Sequence, residues 1–163
     1  VKAISLWQPW ASCIAFGAKR IETRSWKTSY RGPLAIHAGK RKVKSEWELI
    51  ESLDFFQAVF WDPTGQCYPI GDNLPFGALV AVVDLVDCIP TTVLKKERRT
   101  VELRRQPGAP KMAFWSDFDL GDYRDGRYGW IFENLRPLEE PIPYRGEQGL
   151  FEVPDELVLG GLS

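Results

Sequence analysis

Histidine is almost absent from this chain of 163 residues: His37 stands alone, beside three cysteines and a single methionine. One histidine founds no metal cluster. Cys13, Cys67 and Cys88 are too few and too scattered for a zinc site or a disulfide framework. An odd count of cysteines fits free thiols in a reducing compartment. No stretch approaches the roughly 20 consecutive apolar residues of a membrane-spanning helix. No signal-peptide pattern precedes the apolar run Ala3-Ile4-Ser5-Leu6-Trp7. The expectation is an intracellular, cytoplasmic protein with no membrane association. A glycine-rich phosphate loop, zinc-finger spacing and a G-x-S-x-G elbow are all missing, so neither cofactor nor metal is expected. Internal repeats and low-complexity linkers are missing too, which points to a single domain over residues 1–163.

What is present is segmented charge. The formal net charge is only −1, which alone argues against a polyanion binder. Yet residues 1–44 hold ten Lys or Arg and one acid, Glu22, whereas residues 45–94 hold eight acids and no Lys or Arg. Residues 95–111 hold seven basic and two acidic residues, and residues 112–163 hold four basic and eleven acidic ones. Neutralisation between surface blocks is one reading. A molecule basic on one face, suited to a polyanion, is the other. Seven Trp, five Tyr and nine Phe favour the second, because Trp7, Trp10, Trp26 and Tyr30 fall inside the first basic block. Rings among cations suit base stacking with phosphate attraction, although most rings of a small domain fill its core.

Periodicity places a strand at Ala3–Leu6 and a helix opened by Gln8-Pro9 and stopped near Gly17. Lys19–Ser25 alternates as a half-buried strand, with Arg20, Glu22 and Arg24 on one face. Tyr30-Arg31-Gly32-Pro33 reads as a turn and Leu34–Ala38 as a strand. A capping box at Ser45 predicts a helix to about Val59, followed by a loop over 61–76. Ala78–Ile89, bounded by Gly77 and Pro90, is the strongest strand and should be central. Thr91 or Thr92 caps a basic helix to about Arg104, and 106–127 is a long loop. Tyr128–Leu135, a proline-rich edge at Arg136–Pro143, and Leu150–Val153 complete the strands. Five or six strands with two to three flanking helices make an α+β domain around a small, partly closed barrel.

The run Leu6-Trp7-Gln8-Pro9-Trp10-Ala11, followed by Gly17-Ala18-Lys19-Arg20-Ile21-Glu22-Thr23-Arg24-Ser25-Trp26, resembles an ASCH domain of the PUA-like superfamily. The family pattern G-x-K-x-x-E-x-R is met by Gly17, Lys19, Glu22 and Arg24. The likeness continues through Tyr30–Ala38 and Gly77–Asp87 to Gly129–Asn134 and Glu140–Pro143. It implies a PUA-like mixed β-barrel and a role with RNA or nucleotides.

Lys19, Glu22 and Arg24 place an acid between two cations. In a site, Glu22 accepts from a base amino group or acts as general base, while Lys19 and Arg24 hold a phosphate or polarise a carbonyl. Otherwise they are an ion-paired strand face. His37 reads as a buried, hydrogen-bonded strand histidine rather than a proton carrier. Asp84 and Asp87 point to opposite faces of their strand, and Cys13 sits on an apolar helix face. Three functions stay open. The favoured one is a module that binds RNA or a modified nucleoside in a cleft at the barrel mouth, with DNA as a further possible partner. Trp7, Gln8, Lys19, Glu22, Arg24 and Trp26 line that cleft, with Tyr128 as a wall. Arg31, Lys40 and Lys42 add phosphate contacts. The second is an amidohydrolase on N4-acetylcytidine, which the resemblance implies would use a lysine, a threonine and a glutamate. Lys19 matches the lysine, but Glu22 stands where the threonine would be. The third is a ribonuclease with Lys19 and Glu22 as catalytic pair.

Overall fold

The computed structural model describes residues 1–42, 74–96 and 117–158. Within these residues six strands form one mixed sheet: β1 Lys2–Leu6, β2 Ile21–Arg24, β3 Gly32–Ala38, β4 Ala78–Pro90, β5 Tyr128–Pro143 and β6 Leu150–Glu152. Their order is β2-β5-β4-β3-β1-β6. The β1–β3 pairing is parallel and the remaining pairings are antiparallel. Three short helices accompany the sheet: α1 Trp10–Ala15, α2 Thr91–Lys96 and α3 Asp155–Val158. β4 is central, and its unbroken apolar half, Ala78–Val83, is buried on both faces.

The sheet curls into a half-barrel. Trp26, just past β2 at one edge, and Leu150, on β6 at the other, pack against the same cluster of Ile4, Leu6, Ile36, Val83, Trp130 and Phe132. That cluster is therefore the inside of the curl, and α1 adds Ala11, Ile14 and Ala15 to it. The outer face is covered in two places. Ala3, Ala35, Leu79 and Val82 lie under Phe151, Val153 and Val158, and Ile21 and Ile131 meet Leu94 of α2 and Tyr123.

Local chemistry sets several boundaries. α1 ends where Gly17 takes a left-handed φ of 76° and Lys19 N–H returns to Cys13 O at 3.0 Å. The expected turn at Tyr30–Pro33 is shorter than its sequence suggests, because Gly32 and Pro33 already pair with Leu85 and Asp84 in β3. The proline-rich segment Arg136–Pro143 is no separate strand. It continues β5, and a register shift between Leu79 and Ala81, where the partners jump from Ile142 to Pro137, absorbs its irregularity. β2 covers β5 only from Tyr128 to Ile131, so the prolines do fall where one side of β5 has no strand beside it among the described residues. Thr91 opens α2 without capping it: its hydroxyl is turned to the carbonyls of Arg124 and Arg127 at 2.8 and 3.1 Å. The helix expected over 45–59, the loop over 61–73 and the basic helix beyond Lys96 lie outside the described residues.

Candidate nucleic-acid interface

β2 turns two of its side chains inward. Glu22 and Arg24 stand opposite Trp130 and Tyr128 in the β2–β5 ladder, and directly opposed residues share a face. Glu22 is 13% exposed and Arg24 25% exposed. Lys19, at the strand's entrance, is 1% exposed. Its ammonium donates to Ile21 O at 2.6 Å and Leu120 O at 2.7 Å, and lies 3.4 Å from Glu22 Oε2. Two of its three donors are thus held by backbone carbonyls, and its charge is paired with Glu22. Its charge also sits 5.8 Å from the Trp10 ring centroid. On the other side of Glu22, Oε1 is 3.2 Å from Arg24 Nε, a charge contact outside hydrogen-bond alignment. Arg24 Nη2 donates to Ser5 O at 2.7 Å. That bond joins the first strand in the sheet order to the fifth and closes the curl.

The edge of β2 is finished by a carboxylate. Asp117 Oδ1 accepts the backbone N–H groups of Arg20 at 2.6 Å and Ile21 at 3.1 Å. Burial pushes its carboxyl above the usual carboxylate range, against those bonds and the nearby Lys19 and Arg20 charges.

The expected cleft residues fall into separate groups. Lys19, Glu22 and Arg24 form one chain of charge, flanked by the half-buried rings of Tyr128 and Trp26. Trp26 meets Trp130 edge-on at 4.6 Å. Gln8 is 3% exposed and works as a brace for α1. Its Oε1 accepts Ser12 N–H at 3.1 Å, and its Nε2 donates to Ser12 Oγ and to Pro75 O. Arg31 donates to Thr28 O, Tyr30 O and Asp87. Trp7, Lys40 and Lys42 gather elsewhere, past the ends of β1 and β3. There Trp7 is 48% exposed, Arg41 lies 5.9 Å from its ring centroid, and Lys42 lies 5.3 Å from that of Phe76. A further shallow, open cleft, lined by Ile14, Gly17, Lys19, Arg20, Phe132 and Glu133 among others, shares only Lys19 with the expected set.

Both carboxylates of β4 meet cations: Asp84 is bonded by Arg136 and Asn134, and Asp87 by Arg31. His37 is 2% exposed and bridges Ser5 Oγ at 2.9 Å and Tyr144 O at 3.1 Å. A carbonyl only accepts, so Nε2 carries the proton and Nδ1 accepts from the Ser5 hydroxyl. Burial holds its pKa below the usual histidine value. Asp117 and Phe76 were not singled out in the sequence. The only hint for Asp117 is an acid in a long loop that has to return to a sheet edge.

The model of the ASCH domain matches residues 4–142. The chain belongs to the ASCH-domain family. It is 37% identical over 157 residues to human activating signal cointegrator 1 and 39% identical over 159 residues to the mouse protein. In each case 96% of this chain is covered but only 23% of the relative, so the chain spans about a quarter of the length of the curated relatives it matches. In three dimensions it is similar to ASCH from Zymomonas mobilis, with a TM-score of 0.52 at 16% identity over 95% of this chain and 88% of that one. This likeness carries the fold, the half-barrel. Among the described residues no helix is long and apolar enough to cross a membrane.

Proposed function

We propose that this ASCH domain is an RNA-binding module that seats a base, plain or modified, against the inner face of the half-barrel. The observation that carries the reading is the position of Glu22 and Arg24. Both are partly exposed on that face, flanked by the rings of Tyr128 and Trp26. A carboxylate held between two cations still has lone pairs for a base amino group, and the guanidinium still has donors for a carbonyl or phosphate. Aromatic walls beside them suit an unpaired base.

Binding is favoured over hydrolysis because of Lys19. It is 1% exposed, two of its donors are given to backbone carbonyls and its charge is paired with Glu22, so polarising a substrate carbonyl would require it to leave buried partners. No hydroxyl stands at the place of Glu22. The test is equilibrium binding of a panel of short RNA oligomers to the wild type, Glu22→Gln and Arg24→Met. Urea unfolding establishes that each variant is folded. Both variants are expected to lose about tenfold in affinity, the scale of one lost charged contact. Unchanged affinity in both would overturn the reading, as would turnover of modified nucleosides by the wild type in a mass-spectrometric screen.

A further inference from the structure

The inner-face reading leaves one conspicuous surface unused, the tip of the half-barrel where β1 and β3 end. Trp7 is the most exposed large apolar side chain of the described residues, at 48%, whereas Trp10 and Trp26 are half-buried and Trp130 is buried. Nothing in its own chemistry requires this. Its position is nonetheless supported: Gly39 donates its N–H to Leu6 O at 2.8 Å, and a Cβ built on Gly39 would stand 3.7 Å from Trp7 Cδ1. The next three residues, Lys40, Arg41 and Lys42, are all exposed cations. Two of them lie over rings, Arg41 over Trp7 and Lys42 over Phe76. The stem of Lys40 lies against Gly77, where a Cβ would come within 2.6 Å of Lys40 Cγ and Cε.

We infer that this tip is a track for single-stranded nucleic acid, in which a base stacks on Trp7 and the flanking phosphates meet Lys40, Arg41 and Lys42. The inference rests on the reading of the domain as an RNA binder but uses a different surface. Alternation of rings and cations is the composition that binds single strands: every base has a face to stack, and every linkage carries a negative charge. A duplex offers phosphates but keeps its bases stacked on one another. It would engage the three cations and leave an exposed indole idle. An acidic protein surface would do the same. Lys40, Arg41 and Lys42, three successive exposed cations, supply the local field that draws a polyanion to this tip. The track also leads toward the inner face, since Trp7 follows Leu6 and Ser5, whose carbonyl is held by Arg24.

The experiment measures binding of a fluorescent twelve-nucleotide oligouridine and of an RNA hairpin of equal charge, each across a salt series. The proteins are the wild type, Trp7→Ala, the double variant Arg41→Ala/Lys42→Ala, and Glu22→Gln, with urea midpoints confirming that each is folded. Trp7→Ala is expected to weaken oligouridine binding by about tenfold with its salt slope unchanged, and to leave hairpin binding nearly as it was. The double variant is expected to lower the oligouridine salt slope by ~1.4, the loss of two phosphate contacts on a single strand. Unchanged oligouridine affinity in folded Trp7→Ala overturns the track, and so does equal loss for both probes. If Trp7→Ala is silent while Glu22→Gln weakens binding, the track falls and the inner-face reading stands. Should the wild type bind neither probe, both fall.

Discussion

Arg24 donates through Nη2 to the carbonyl of Ser5 at 2.7 Å, across a gap between strands that are four places apart in the sheet. β6 pairs with β1 only as far as Ile4, so the Ser5 carbonyl lies beyond that ladder and is met instead by a side chain. One guanidinium thereby helps hold the half-barrel closed while its partly exposed remainder faces the candidate base site. Arg24→Met is expected to lower stability by about 1–2 kcal/mol, the lower range for a hydrogen bond to a charged group, since the side chain is partly solvated. Arg24→Lys should recover little, because a single ammonium cannot span Ser5 O and Glu22 together. Urea unfolding of the three proteins checks both statements.

Lys19 supports the site from beneath. Replacing it with methionine removes the partner of Glu22 and leaves the carbonyls of Ile21 and Leu120 without their donor. The expected loss is about 3 kcal/mol, the scale for breaking a buried pair from one side. Lys19→Met/Glu22→Leu should be more stable than the sum of its single changes predicts, because the stranded carboxylate is gone. Additive losses in a double-mutant cycle would show that the two charges do not depend on each other.

The legible part of this protein was its strand pattern. Alternation in Ile21–Arg24, the Val-rich run of β4 and the bounding Gly77 and Pro90 are local signals, and local signals determine which segments are strands. The burial of Lys19 is a different matter. Its two carbonyl acceptors include Leu120, a hundred and one positions along the chain, and no periodicity carries information of that range. A lysine three residues before a glutamate reads as a solvated pair until the loop that covers it is known. Gln8 is hard to read for the opposite reason. It stands before a helix, where side chains can meet a ligand, but its amide is bonded to Ser12 of the turn it starts and to the distant Pro75 O. His37 was legible as a buried strand histidine, since its neighbours Ile36 and Ala38 are apolar. Its partners Ser5 and Tyr144 lie 32 and 107 positions away along the chain and were not.

Asp117 distinguishes a charge from an acceptor. Its oxygen caps two N–H groups at the edge of β2, yet burial makes the ionised form costly. A carboxyl whose folded pKa is raised above 3.8 is destabilising in its ionised form, and that cost grows as pH rises through the folded value. Asn keeps an oxygen in place without charge. Asp117→Asn is therefore expected to be neutral or slightly stabilising at pH 7, whereas Asp117→Ala should cost about 1–3 kcal/mol by leaving the two N–H groups unpaired. Thermal unfolding of both variants at neutral pH is the check, and equal destabilisation would mean that the charge itself is needed.

His37 gives the protein a pH dependence of known sign. Burial is the main cause of its lowered pKa, with the Lys40 cation acting in the same direction and the bond to Tyr144 O opposing them. As pH falls below 6.5 the unfolded chain takes up a proton that the folded one refuses, so stability declines until the folded pKa is reached and then levels. His37 is the sole histidine, so His37→Gln should flatten the stability curve just below pH 6.5. A curve of unchanged slope in that variant would assign the dependence to carboxylates.

Gly146 has to be glycine because of the same pair. A Cβ at that position would stand 2.5 Å from His37 Nδ1 and 2.6 Å from Ser5 Oγ, closer than real Cβ contacts come, and would collide with His37 Cε1 as well. The segment after β5 is thus laid directly on the Ser5–His37 bond, and Tyr144, two residues earlier, supplies the carbonyl that accepts from Nε2. The imidazole is in turn packed edge-on against Phe151, with ring centroids 6.0 Å apart. Gly146→Ala should lift this segment and cost about 1–3 kcal/mol, the usual range for overpacking. The cost has a specific origin, so it should be conditional. In a His37→Ala background the added methyl finds the space the ring has left, and the penalty should shrink to a fraction of its wild-type value. Urea unfolding of the four proteins in this cycle measures the coupling. A penalty that is the same in both backgrounds would place the strain in the backbone of Gly146 rather than in its contact with His37.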